Sequence, residues 1–157
     1  MSAIYEFEVT GDPKGQPRPK AFARKMGNKY TARVYDPGTA EGWKSAIAIA
    51  VKEAEIQGLM LEGPVSLTMV AIFARPKSHF GSGKNSAIIK PSAPFWHTGK
   101  PDLDNIIKAA KDALTQLGVW RDDSQVCKSH TEKPYATGKG HARSIFRIET
   151  LSNQLDQ

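Results

Sequence analysis

Stretches of period two and stretches of period 3.6 follow one another along this chain, and their order narrows the fold more than any other feature. Ile4 to Thr10 sets Tyr5, Phe7 and Val9 against Glu6, Glu8 and Thr10, the alternation of a half-buried strand. Val65 to Phe73 repeats the pattern through Val65, Leu67, Met69, Ala71 and Phe73. Between them, Asp36-Pro37-Gly38 turns the chain, and Thr39 can cap a helix to about Gln57 with Trp43, Ile47, Val51 and Ala54 on one face. A second helix is expected after Pro101, where Leu103, Ile106, Ile107, Ala110, Leu114 and Leu117 form an apolar stripe that Gly118 closes. Two more strands are expected near Gln125–His130 and Arg143–Thr150. The order β-α-β-α-β-β describes an α+β domain with a mixed sheet and two main helices packed on it.

At 157 residues this is one domain, 1–157, with a core large enough to need no staples. Its single cysteine, Cys127, excludes an internal disulfide and a multi-cysteine zinc site, and reads as a buried strand residue. The longest aliphatic run, Ala46 to Val51, is too short to cross a bilayer, and the N-terminus lacks a signal-peptide layout. A cytoplasmic protein without membrane contact is expected.

The net charge of +6 favours an anionic partner, and its distribution says more. Pro13 to Tyr35, an arm or a hairpin broken at its start by Pro and Gly, carries seven cations and no acid. Within it Arg18, Lys20 and Arg24 are candidate DNA contacts. Ala74 to Lys100, a long basic loop, carries five cations and no acid, and Lys100 is a fourth candidate contact. Residues 152–157 form a tail. By contrast, five of the sixteen carboxylates fall between Asp102 and Asp123.

That acidic window can be read in two ways. Asp102 could cap the second helix, Asn105 could complete a capping box, Asp104 and Lys108 could be an i,i+4 ion pair, and Asp122-Asp123 an exposed turn. Alternatively, the chain returns along the sheet after the helix, Asp122-Asp123 meets Asp102 and Asp104, and the gathered charge holds a hard cation, Mg²⁺ or Mn²⁺. Lys108, about 40° round the helix from Asp104 and one turn along, would then stabilise charge on a phosphate under hydrolysis. A pure nucleic-acid-binding module gains nothing from acids placed near DNA.

The stretch Lys100 to Leu114 (KPDLDNIIKAAKDAL), followed by Gly118 to Val126 (GVWRDDSQV), resembles the signature of RusA-type Holliday-junction resolvases. Gly11 to Lys20, Tyr35-Asp36-Pro37 and Arg75-Pro76-Lys77-Ser78 resemble further landmarks of that family, so the likeness spans nearly the whole chain. The resemblance implies a homodimeric, magnesium-dependent endonuclease that resolves four-way junctions in recombination and repair. It assigns Asp102, Asp104 and Asp123 as catalytic, metal-binding carboxylates and Lys108 as the essential lysine, with Asn105 and Asp122 in support. A nuclease of broader branched-DNA taste, for flaps or forks, and a non-catalytic basic binding module are the alternatives.

The remaining residues are read more plainly. His79, His97, His130 and His141 lack metal-ligand spacing and read as surface or loop histidines. Gly81 to Lys84 reads as a flexible tip. Phe95 and Trp96 could stack on unpaired bases or plug the loop against the core. Trp43 and Trp120 belong to core or interface, and Phe146, Ile148, Trp43 and Ile47 offer apolar material for a dimer contact.

Overall fold

Alternation along three segments becomes three strands of one sheet, each showing the core a single face. The computed structural model of the protein describes residues 2–16, 20–26, 29–35 and 40–155. In chain order its main elements are β1 (Ile4–Thr10), β2 (Lys20–Met26), β3 (Lys29–Tyr35), α1 (Glu41–Glu53), β4 (Val65–Ile72), α2 (Leu103–Gln116), β5 (Val126–Glu132) and β6 (Arg143–Thr150). Four strands form a mixed sheet in the order β1-β6-β4-β5. β6 runs antiparallel to both its neighbours, and β5 runs parallel to β4. β2 and β3 pair separately as an antiparallel hairpin, which decides between arm and hairpin for the basic segment. The expected mixed-sheet α+β fold is the one observed.

The core lies on one face of the sheet, under the helices. Phe7 and Val9 from β1, Val65, Leu67, Met69 and Ala71 from β4, and Phe146 and Ile148 from β6 all point into it. Phe146 is central: it pairs with Phe7 and with Met69 in register, stacks on the Phe7 ring at 4.9 Å, and meets Trp43 of α1 at 6.4 Å. α1 contributes Ile47, Ala50 and Val51 to the same cluster, and α2 contributes Ile106, Ala109, Ala110, Ala113 and Leu114. Truncating a residue such as Leu114 to alanine there costs about 2–5 kcal/mol. On the opposite face of the sheet, Arg143 meets Glu8 at 3.5 Å and Arg147 meets Glu149 at 3.7 Å. Those pairs are solvent-exposed, so each contributes at most about 1 kcal/mol.

Packing revises two sequence readings. Trp43, Ile47, Phe146 and Ile148 fill this one core, leaving none of them free for a dimer contact. Cys127 is exposed, because β5 is the sheet's edge strand and its residues 127–130 are open on both sides. α1 starts after Ala40, which makes no side-chain cap bond; the expected cap, Thr39, lies outside the described residues. The helix ends at Glu53, earlier than Gln57, because Glu55 takes a positive φ of 59°. The chain beyond it is tied to the end of α2, with Met60 N–H donating to Gly118 O (2.8 Å) and Leu61 N–H to Val119 O (2.8 Å). Among the described residues no helix is long and apolar enough to cross a membrane.

The basic loop between β4 and α2 is built by hydrogen bonds. Two short 3-10 turns, Lys77–His79 and Gly83–Asn85, flank its tip, and Gly81 N–H donates to Ile88 O at 3.0 Å. Gly81 allows this closure, since a Cβ there would lie 2.8 Å from both the Cβ and the carbonyl oxygen of Asn85. Farther on, residues 133–136 run between the end of β4 and residues 95–97. Phe73 N–H donates to Pro134 O (2.9 Å) on one side, and Tyr135 N–H donates to Phe95 O (2.9 Å) on the other.

Candidate active site

The head of α2 carries the first pair of acids. Asp102 is the N-cap residue with extended backbone (φ −68°, ψ 146°), and its carbonyl accepts from Ile106 N–H at 3.1 Å. Its carboxylate makes no capping bond. Asp102, Asp104 and Lys108 are exposed, and among the described residues no ion pair joins Asp104 to Lys108. Both structural explanations for these acids, a side-chain cap and an i,i+4 pair, are therefore absent here. Burying the apolar stripe of α2 against the sheet forces its polar face outward, which leaves the two carboxylates and the lysine on offer.

The glycine-rich segment after β1 braces this end of the helix. Gln16 N–H donates to Asn105 O at 2.8 Å. Gly15 fits because a Cβ there would stand 3.1 Å from the side chains of both Pro101 and Asn105. Asn105 is half-buried at this contact, so its place in the motif is at least a packing role. From the other side Lys133 Nζ donates to Gly99 O (2.7 Å) and Pro101 O (2.9 Å), fixing the approach to Asp102. Lys100 is exposed beside it. Lys20 and Arg24 lie on β2, and Arg18 lies outside the described residues.

Asp122 and Asp123 sit at the tail of α2, and their roles differ. Asp122 caps the 3-10 turn Asp123–Gln125: its Oδ1 accepts from Ser124 N–H at 2.8 Å, and that bond holds its carboxyl below the usual range. Gln125 Oε1 accepts from Asp122 N–H (3.0 Å), while its Nε2 donates to Leu61 O (2.8 Å) and Gly63 O (2.9 Å). The turn is thereby pinned to the segment before β4. Asp123 accepts a hydrogen bond from the Thr115 hydroxyl. Thr115 Oγ1 in turn accepts from Trp120 Nε1 at 2.7 Å, so the buried indole directs the hydroxyl proton to Asp123.

A further carboxylate belongs to this end. Asp112 is pushed above the ordinary carboxyl range, first by burial and then by the negative charge of Asp123, while Lys44 of α1 and Lys108 pull the other way. Neither Asp112 nor Thr115 was marked by spacing to Asp102. Helical periodicity does hold the signal, because Asp104, Lys108, Asp112 and Thr115 fall within about 80° on the polar face.

The expected meeting of the two acid groups within one chain does not occur. Asp104 and Thr115 are separated by about 16 Å along the helix axis, and Asp123 is bonded at the Thr115 end. Among the described residues no three His, Cys, Asp or Glu side chains stand together as a metal-ligand set. The chain does return along β5 to Lys133 at the head of α2, but Asp122 and Asp123 precede that strand and stay at the tail, where Val119 and Trp120 are buried.

The sequence profile of Endodeoxyribonuclease RusA matches residues 10–143. The chain belongs to the RusA endodeoxyribonuclease family. It is 32% identical to the uncharacterized protein YqaN of Bacillus subtilis (strain 168), over 83% of this chain and 87% of that protein. It is 43% identical to the crossover junction endodeoxyribonuclease RusA of Escherichia coli (strain K12), over 34% of this chain and 42% of that one. The crossover junction endodeoxyribonuclease rusA of Lactococcus phage r1t is 48% identical over 20% of this chain and 24% of its own length. The alignments to relatives named for junction cleavage thus span less than half of those proteins.

Proposed function

We propose that this RusA-family protein is a magnesium-dependent, homodimeric endonuclease that resolves four-way DNA junctions by paired incisions, in recombination and repair. The observation that carries this reading is the exposed carboxylate pair, Asp102 and Asp104, at the head of α2, which makes no capping bond or ion pair among the described residues. Exposed acids without partners repel DNA unless a cation stands between them, so a binding module without chemistry would be weakened by them. The pair suits Mg²⁺, which is commonly held by one or two carboxylates together with water and phosphate oxygens, and Mn²⁺ accepts the same donors. When bound, such an ion polarises a phosphoryl oxygen and lowers the pKa of an attacking water.

The chain's own residues supply the remaining functions. Lys108, one turn from Asp104, offers an ammonium to the negative charge that builds on the phosphate. Lys100 at the approach to α2, with Lys20 and Arg24 of β2 and with Arg18, binds the flanking backbone and sets position without reading bases. Asp123 is fixed by Thr115 at the far end of α2, and in a two-fold dimer its carboxylate would serve the other subunit by joining that subunit's Asp102–Asp104 pair. Two-fold dimers are the commonest closed assembly, and such a dimer carries two equivalent sites for two symmetric incisions.

The test is incubation with a synthetic mobile four-way junction, with and without Mg²⁺, beside linear duplex and flap substrates. Symmetric nicks in opposing strands of the junction alone, dependent on the ion, are the expected result. Equal cutting of flaps would establish the broader nuclease instead, and binding without cutting at any ion concentration would refute the enzyme.

A further inference from the structure

Among the described residues Phe95 and Trp96 are the phenylalanine and tryptophan side chains left open, at 55% and 50% exposure, yet the backbone beneath them is fixed. Tyr135 N–H donates to Phe95 O (2.9 Å), His97 N–H donates to Lys133 O (3.0 Å), and Trp96 pairs across to Pro134. His97 is the anchor that the loop buries: its ring stacks on Phe73 at 4.0 Å with an interplanar angle of 10°, and meets Tyr135 edge-on at 5.0 Å. Arg75 locks the other side, donating to Ala136 O and Pro94 O at 2.7 Å each, with its guanidinium 5.2 Å from the Tyr135 ring centre. The plug is therefore His97. Phe95 and Trp96, which pack T-shaped on each other at 4.7 Å, are held out from it.

Phe95 also walls a cavity of about 550 Å³ with Ile72, Tyr135 and His141, into which the Glu8–Arg143 pair opens. That volume lies in the range of clefts that take small aromatic ligands. The surroundings are cationic, with Lys77, Lys84, Lys90, Lys100 and Lys139 exposed and no acid between Ala74 and Lys100. Lys133 bridges from this platform to Pro101, so the aromatic pair and Asp102 sit on one braced piece of chain.

We propose that Phe95 and Trp96 form a stacking platform for an unpaired DNA base, seated at the cavity that Phe95 walls, with the chain from the platform to the acid-bearing head of α2 braced by Lys133. This rests on the branched-DNA reading of the function. Every base offers a π face to the rings, its amino and ring N–H edges can bond Glu8, its acceptor edges can bond Arg143, and its phosphates meet the lysines. Stacking of one base on aromatic side chains corresponds to roughly five- to a hundredfold in affinity.

Trp43 and Trp120 are buried, so the emission that DNA can quench belongs to Trp96. The full chain, kept in EDTA to prevent cutting, is titrated with single-stranded dT12, with a fully paired 12-mer duplex, and with a four-way junction carrying 2-aminopurine at the branch point. Quenching by dT12 and the junction, but not the duplex, is expected, along with a drop in 2-aminopurine fluorescence. Trp96→Phe should remove the quench while keeping affinity. The double variant Phe95→Ala/Trp96→Ala should bind dT12 at least about fivefold more weakly while its duplex affinity changes less than about twofold. Equal quenching by duplex, or unchanged dT12 and junction affinity in the double variant, would overturn the platform. So would Trp96 emission that shifts with protein concentration and ignores DNA, which would place a second copy of the chain on these rings. Quenching in a protein that never cuts with Mg²⁺ would support the platform and defeat the nuclease reading, so the two failures are distinguishable.

Discussion

Replacing Thr115 by valine separates the scaffold of the acid site from its chemistry. The side chain keeps its shape and loses one hydroxyl, which now accepts from Trp120 Nε1 at 2.7 Å and donates to Asp123. Trp120 is fully buried, so its indole N–H would have no water to replace the lost acceptor. A stranded buried donor costs about 1–3 kcal/mol. Taking ~2 kcal/mol, a domain of this size should melt roughly 4–8 °C lower. Asp123 would lose the donor that fixes its rotamer, and a catalytic group displaced by about 1 Å can lose up to a hundredfold in rate. Thermal unfolding by circular dichroism gives the first number, and Mg²⁺-dependent cutting of a four-way junction gives the second. Thr115→Ser, which restores the hydroxyl, should recover both. A valine variant that melts and cuts like wild type would refute the relay, as would a serine variant no better than valine.

Lys108→Ala should lose at least about a hundredfold in cutting rate with almost no change in melting temperature, since the exposed side chain pairs with no carboxylate among the described residues; a large drop in melting temperature with cutting retained would reverse that assignment. Junction affinity should fall steeply between low and moderate salt, and neutralising Lys20 and Arg24 should flatten the slope; a salt-insensitive complex would exclude the hairpin from the DNA contact. Burial, and then the charge of Lys133, hold His97 below the ordinary histidine range. Its contribution to stability is therefore present above the usual histidine value and lost as pH falls through the lowered one. Melting curves from pH 7.5 down to 5 should show a loss that His97→Phe, which keeps the stack on Phe73, diminishes; an identical pH slope in both proteins would contradict this.

Local pattern made much of the fold legible. β1 and β6 run over Ile4–Thr10 and Arg143–Thr150 because their alternation matches a sheet with one wet face. The stripe of α2 was equally plain, since Ile106, Ala110 and Leu114 reach the core. Sequence order could not show that β6 inserts between β1 and β4 and pushes β5 to the edge, and so it misjudged Cys127. It also could not show how much apolar volume one core consumes, which is why Phe146 and Trp43 seemed spare. The acid motif was legible as residues but not as a site. Whether Asp123 reaches Asp104 depends on where the chain goes after Gly118, and the burial of Val119 and Trp120 keeps it at the tail of α2. Long-range backbone bonds between residues 95–97 and 133–135 decided the fate of His97, and no local signal carries them.

The central claim, a metal site completed between two subunits by Asp102 and Asp104 of one and Asp123 of the other, is tested most directly by complementation. Asp104→Asn and Asp123→Asn are purified separately, mixed under conditions that exchange subunits, and given a four-way junction with Mg²⁺. Each variant alone should be inactive. In the mixed dimer one site holds both substitutions and the other holds none, so the mixture should place a single nick in the junction. No cutting by demonstrated mixed dimers would mean that each subunit assembles its own site, and cutting by either variant alone would remove that carboxylate from the chemistry.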